Sequence, residues 1–307
     1  MKSSVQERLA PITPALIFGH LKLNRWNEGF MQQKDDCQRS GRHFARLTVS
    51  TLLLAGALTL QPAHAGCSTK SLKGLYGLTT QGINANGIYL TTLSVFDFQP
   101  GNGPNGQNQV TEDYFVATAN RQTGGTAYGN YQVDSSCHFN LSVIDLTGVR
   151  YALEGEVSPN QHKVVVMQTS DSREGVAVGT MQAVGRRSCQ PGNFRGDYTF
   201  LSDGRIPDNS GQPASWSESL VGRFRATGYG FVQPVELTNT NGVISEAPPA
   251  YATANVRHNC LVDLVDSSFI GVLTGRDQQM LYMSRSLGTV RLGNAIKIST
   301  GARHESR

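Results

Sequence analysis

The groups in residues 66–307 that could do chemistry are four cysteines, four histidines, a few closely spaced acids and a set of arginines. Cys67, Cys137, Cys189 and Cys260 lack the Cys-x-x-Cys spacing of a redox motif and do not cluster with histidines as a zinc site requires, so they read as structural disulfides. His138 follows Cys137 by one residue and His258 precedes Cys260 by two, offsets that make them non-equivalent, exposed strand positions rather than a shared ligand set; His162 and His304 lie elsewhere. Glycosidases use two carboxylates about 5–9.5 Å apart. Glu154 and Glu156 are two positions apart and would share a strand face at a rise of roughly 6.5–7 Å, but a polar outward face explains them equally. Glu112 and Asp113 are adjacent and point to opposite faces.

Other signals lead to the same place. There is no Gly-x-Ser-x-Gly elbow, and the Asp-Ser-Ser triplets at 134–136 and 266–268 read as turns. PGNGPNGQN at 100–108 is followed by no Lys-Ser or Lys-Thr and by no helix, so it is a hairpin tip rather than a phosphate loop. Arg223 and Arg225 would share a strand face and, with Arg195, Arg205 and Arg257, form either an anion patch or a solvated face; aromatic interleaving of the nucleic-acid kind is sparse. The sequence assigns no catalytic residue, metal ligand or cofactor, and leaves the ligand-binding residues unknown.

The elements that hold these residues are organised by a repeated frame. Cys67 opens CSTKSLKGLYGL and Cys189 opens CQPGNFRGDYTF, and both fit Cys, four residues, Leu or Phe, one residue, Gly, one residue, Tyr, one residue, Leu or Phe. A second cysteine follows at 70 and 71 positions, which marks an internal duplication. Four cysteines allow three pairings. Equivalence between copies favours Cys67 with Cys137 and Cys189 with Cys260, each bond contributing roughly 4 kcal/mol by the chain-entropy argument. Tyr76 and Tyr198 would either line a barrel mouth or complete the core with the hydroxyl paired.

Around the frame each copy reads as about eight short strands separated by Gly, Asn, Asp and Pro turns. In the first copy IYLTTLSVFDF, QVTEDYFVATA and CHFNLSVIDL are examples, and Phe139, Leu141 and Val143 alternate with His138, Asn140 and Ser142. Local likenesses pair Leu153-Glu154-Gly155 with Leu273-Thr274-Gly275, and Val178-Gly179-Thr180 with Leu287-Gly288-Thr289. Closing such a sheet removes its edges. The expected fold is therefore all-β, two tandem small antiparallel β-barrels with one disulfide each; the alternative is two β-sandwiches. The expected divisions are an N-terminal extension with signal peptide over 1–65, a first repeat over 66–183, a second over 184–298 and a tail over 299–307.

The leader carries the charge. Residues 1–65 hold eight Lys and Arg against four acids, whereas residues 66–307 hold nineteen of each. A neutral body argues against nucleic acid as a partner. Within it, the halves carry −3 and +3, which would favour packing of one on the other or reflect drift between the copies. Arg39, Arg42 and Arg46, the apolar run LTVSTLLLAGALTL and the small residues Ala63 and Ala65 have the layout of a signal peptide cleaved after Ala65, with Met31 an alternative start and Cys37 in the discarded part. The run is too short for a comfortable membrane span. His64, three before Cys67, fits a lipoprotein signal poorly. Periplasmic or extracellular localisation follows, without a transmembrane helix in the mature chain, with oligomeric state open.

Gly74-x-Tyr76 and Gly196-x-Tyr198 resemble the opening of calycin-type barrels, where lipocalins carry Gly-x-Trp at the start of strand one. The wider pattern also resembles small secreted bacterial domains of unknown role similar in shape to allene oxide cyclase and dirigent barrels. Three functions stand as expectations. The leading one is a non-catalytic exported barrel that binds a small apolar ligand or a partner; the others are a cyclase- or dirigent-like enzyme and an envelope structural protein with filled barrels. An apolar cavity of about 300 Å³ or more would favour the first two, a packed interior the third, and a buried ionisable group at the cavity floor the enzyme.

Overall fold

The computed structural model describes residues 66–299, apart from 85–86, 119–120, 172–174, 207–215, 266–268 and 285–289. The leader with Ala65, Met31 and Cys37, the Asp-Ser-Ser triplet at 266–268, Leu287-Gly288-Thr289 and His304 lie outside the described residues.

Residues 74–183 form β1 (Gly74–Ile83), β2 (Tyr89–Gln99), β3 (Gln109–Thr118), β4 (Gln122–Val133), β5 (His138–Asp145), β6 (Arg150–Val157), β7 (Lys163–Asp171) and β8 (Val176–Ala183). Consecutive strands pair antiparallel, and β8 returns to β1 with Tyr76 opposite Ala183, closing the barrel. Period two decides which side chains go inside: in β5, Phe139, Leu141, Val143 and Asp145 are buried and the residues between them are not.

The second barrel is built from β9 (Arg195–Ile206), β10 (Trp216–Thr227), β11 (Gly230–Thr240), β12 (Val243–Ala247), β13 (Ala250–Val256), β14 (Leu261–Leu264), β15 (Phe269–Thr274), β16 (Gln279–Ser284) and β17 (Val290–Ser299). Pairing of β9 with both β10 and β17, and of β10 with β11, closes eight strands. The ninth, β12, is an extra strand on the far end of β11.

The repeated frame seals the base of each barrel, and each of its residues has a mechanical reason. Cys67 is bonded to Cys137 and Cys189 to Cys260, one disulfide per barrel. A short 3-10 turn follows the first cysteine, at Thr69–Ser71 and Pro191–Asn193, and delivers Leu72 and Phe194 into the core, both fully buried. Gly74 and Gly196 take φ of +84° and +124°, a region closed to most side chains, which explains the glycine. Two residues on, the hydroxyl of Tyr76 donates to the Gln161 carbonyl at 3.0 Å and that of Tyr198 to the Asp277 carbonyl at 3.2 Å. The tyrosines are therefore core tethers with paired hydroxyls, tied to hairpins whose Gln161 and Asp277 are themselves left-handed, at φ 57° and 69°. Cys137 and Cys260 are left-handed too, at φ 72° and 69°, each closing a turn by donating its N–H to the carbonyl of Asp134 or Arg257. This backbone is uncommon for a residue with a Cβ.

Strand register corrects the local likenesses expected from sequence. Val157 and Leu273 each donate to the carbonyl of the second cysteine of their copy, so Leu273 stands in the place of Val157 and not of Leu153. Gly155 then matches Gly271, and the counterpart of Glu154 is Ile270 rather than Thr274. Likewise Val178-Gly179-Thr180 and Leu292-Gly293-Asn294 occupy the same places against the first strand, in place of the expected 287–289 match. Likeness over three residues is weaker than hydrogen-bond register in a chain whose copies differ by gaps.

The barrels pack side by side through the outer faces of β1–β2 and β15–β17. Leu75, Leu93, Val95 and Ala117 of the first barrel belong to one buried cluster with Val272, Leu273 and Met283 of the second. Gln182 donates to Gln279 at 2.7 Å, Asn259 donates to Asp113 at 2.8 Å, and the N–H groups of Gly275 and Arg276 reach the carbonyls of Ala183 and Val184. The ion pairs His138–Glu156, Arg186–Asp277, Arg225–Asp197, Arg257–Asp263 and Arg291–Glu218 each lie within one half of the chain.

Candidate functional site

The chemistry-bearing residues singled out from sequence lie mostly on the outside. Glu154 and Glu156 face away from the interior, and Glu156 meets His138 Nδ1 at 3.2 Å. His162 and His258 are exposed and serve the fold through their backbone carbonyls, which accept from Ala183 and Cys189. Asp134 caps its own turn, accepting from Ser136 and from the His138 N–H, and these contacts hold its carboxyl below the usual range. Residues 100–108 form the β2–β3 hairpin tip.

Arg223 and Arg225 share the outer face of β10, with Arg195 beside Arg225 on the paired strand β9, while Arg205 and Arg257 lie apart from them. Arg225 pairs with Asp197 at 2.7 Å and Arg257 with Asp263 at 3.3 Å, while Arg205 lies over the Tyr89 ring at 5.4 Å on the seam. Arg205 is ten residues along β9 from Arg195, roughly 33 Å by strand rise. Among the described residues, no three His, Cys, Asp or Glu side chains group as a metal site. No helix there is long and apolar enough to cross a membrane.

What the structure brings together is inside the barrels. In the second, Phe194, Tyr198, Phe224 and Phe231 rise from the sealed base as ring contacts 4.9–6.0 Å apart. Above them Phe200, Phe269, Leu264, Met280 and Tyr282 surround a partly enclosed cavity of about 30 Å³. Among the described residues, Glu236 is its one charged lining group. The Tyr282 hydroxyl lies near Ser202 and Glu236, and burial raises its pKa above the ordinary value. Towards the mouth, Glu218 and Arg291 form a largely buried ion pair, with Thr240 donating to Glu218.

The first barrel is filled at its base by Tyr76, Phe96, Phe98, Tyr131 and Phe139, with the Tyr131 hydroxyl donating to the Leu72 carbonyl at 2.8 Å. Its cavity, also about 30 Å³, has a mixed lining: Leu78, Val116 and Leu153 with the polar residues Thr80, Thr92, Ser94, Glu112 and Gln168 and the tyrosines Tyr114 and Tyr151. Tyr151 donates to Glu112, which is 1% exposed, and Tyr114 donates to Asp145 at 2.8 Å. Glu112 does face opposite to Asp113, and that places it in the interior while Asp113 reaches Asn259 across the seam. Sequence reasoning stopped at the opposition. The signal that would have found the site is that Glu112 shares its face with Val110, Tyr114 and Val116, a face that must turn inward.

Both interiors fall well short of the roughly 300 Å³ of a preformed small-molecule site. Each has room for about two waters, which need roughly 10–15 Å³ apiece.

No protein-family model matches the chain, and no curated protein matches it. Among solved structures, a Nitrosomonas europaea protein provisionally assigned as AttH is similar at 6% identity and a TM-score of 0.24, over 77% of this chain and 96% of that one. A Nostoc punctiforme protein of unknown function from the DUF3598 family is similar at 10% identity and a TM-score of 0.20, over 74% and 97%. Neither calycin nor dirigent membership is shown. The barrel architecture above rests on the strand pairing alone.

Proposed function

We propose that this chain is an exported, non-catalytic tandem barrel that takes the apolar end of a small ligand into the aromatic cavity of its second barrel. The observation that carries this reading is the lining itself: rigid phenylalanines on most sides, an adaptable methionine and one acid at the edge. With about 30 Å³ of space, the barrel admits a terminal group and leaves the rest of the ligand at the mouth. Export by the leader cleaved after Ala65 and the division at residues 183 and 184 complete the proposal, and the two disulfides fit an oxidising, exported environment.

Titration of the protein with N-phenyl-1-naphthylamine tests it. Saturable fluorescence enhancement is expected, and Met280→Trp, which fills the cavity, abolishes it. A wild-type protein without saturable binding leaves the filled, structural barrel as the better reading. The cyclase- or dirigent-like alternative draws on a single observation, the buried Glu112 in the first barrel.

A further inference from the structure

The seam joins two different surfaces, the outer face of β1–β2 in the first barrel and that of β15–β17 in the second. Because the chain is duplicated, each of these faces has a counterpart on the other barrel that the seam leaves uncovered. Register identifies them. Leu281, Met283, Val290 and Leu292 of β16 and β17 stand where the first barrel has Val165, Met167, Val176 and Val178. All four counterparts are apolar and 48–64% exposed, forming one patch across β7 and β8. Single exposed apolar side chains are ordinary, whereas contiguous patches mark contact surfaces. On the receiving side, Leu93 and Phe115 correspond to Val221 and Leu237, which lie directly opposite each other on β10 and β11 and are both exposed.

The free faces also depart from the seam in a matched way. At the seam, Val272 of β15 presses on Gly77, whose cross-strand neighbour is Val95. The first barrel carries Glu156 in the place of Val272, and the second carries Thr199 and Arg223 in the places of Gly77 and Val95. An apolar contact has thus become an acid on one free face and an arginine on the other. The Glu156 side chain is 67% exposed beside His138, and Arg223 is exposed.

We propose that this chain associates with further copies of itself by repeating its own seam. The β7–β8 face of one copy's first barrel packs on the β9–β11 face of another copy's second barrel, with Glu156 beside Arg223. The two faces are distinct surfaces of one chain, so copies add head to tail until a ring closes or a filament grows. Thr199 in place of Gly77 holds the sheets farther apart than at the seam, so the contact between copies is the weaker of the two and dissociates on dilution. Nothing in it depends on what either cavity holds.

Sedimentation velocity of the whole protein tests this. A weight-average mass above one chain is expected, rising with concentration and falling as salt screens the charged pair. Val178→Asp on the first-barrel face and Val221→Asp on the second-barrel face each weaken association roughly a hundredfold or more, leaving monomers with an unchanged circular dichroism spectrum. Mixed together, these two monomers form a one-to-one dimer and nothing larger, because each keeps the face that the other needs. Glu156→Arg and Arg223→Glu each weaken association roughly tenfold and restore it when combined in one chain; if an aspartate variant misfolds, these charge reversals decide. A wild-type protein that stays monomeric at every concentration, a mixture of the two aspartate variants that stays monomeric, association persisting in either variant alone, or no recovery in the double reversal overturns the assignment.

Discussion

At equivalent places above the sealed base, the first barrel carries Leu78, Thr92 and Ser94 where the second carries Phe200, Leu220 and Gly222. Farther round, Tyr114 stands where the second has Glu236, and Val166 where it has Tyr282. Below this level the copies agree: cysteine staple, plugging Leu or Phe, left-handed glycine and tethered tyrosine recur with the same contacts. The duplication has thus kept the parts that close a barrel and changed the parts that line it. In this molecule closure and lining are separable, because closure depends on backbone conformation and a few tethers, whereas the upper layer only has to be filled.

If the bases are equivalent, they should fail equally. Replacing Cys67 and Cys137 by serine, or Cys189 and Cys260, opens loops of nearly the same length, 70 and 71 residues. Each double variant should lose about 4 kcal/mol in urea unfolding. A much smaller loss in one barrel would break the comparison there.

A substitution at the seam sharpens it differently, by asking whether the barrels stand alone. A Cβ on Gly77 would lie 2.5 Å from Val272 Cγ1 and 3.0 Å from Thr274 Cγ2, so the outer wall of the first barrel is glycine where the second presses closest. Gly77→Val should cost about 1–3 kcal/mol by overpacking and split one calorimetric transition into two. A single unchanged transition would mean that the seam carries little of the stability.

The smallest expected effect lies in the tyrosine tethers. Tyr76→Phe and Tyr198→Phe should each lose about 1 kcal/mol, since a part-buried or buried carbonyl is left without its donor. The same residues set an alkaline limit. Burial raises Tyr76 from its ordinary 10.0 to about 12, and raises Tyr131, Tyr198 and Tyr282 above their ordinary value as well. The folded protein favours the neutral phenol, so this contribution is complete below pH 10 and is lost as pH rises from 10 towards 12 and beyond. Absorbance at 295 nm should show buried phenols ionising together with unfolding; free titration in a folded protein would contradict the tethered positions.

Much of this architecture was legible in the residues, and the reasons are local. Period-two patterning in CHFNLSVIDL fixes the faces of β5 whatever it packs against. The recurrence of Cys, Leu or Phe, Gly and Tyr betrays the duplication because each position answers a constraint that reappears wherever a barrel base is built. Glu112 was within reach by the same rule, since it lies on the apolar face of its strand.

Other features were settled only by the tertiary structure. Pairing of β1 with β8 and of β9 with β17 joins residues about a hundred positions apart, and no local signal distinguishes a closed sheet from an open one. Register across the barrel displaced the matches drawn from short likenesses, placing Leu273 with Val157. Of the arginines of the second copy, Arg195, Arg223 and Arg225 meet on one outer face because β9 pairs with β10, while Arg205 lies at the far end of β9, at about 3.3 Å per residue, and Arg257 in a turn. The contents of the two cavities are likewise tertiary facts: Thr92, Ser94, Glu112, Tyr151 and Gln168 come from four strands and meet only because the sheet closes around them.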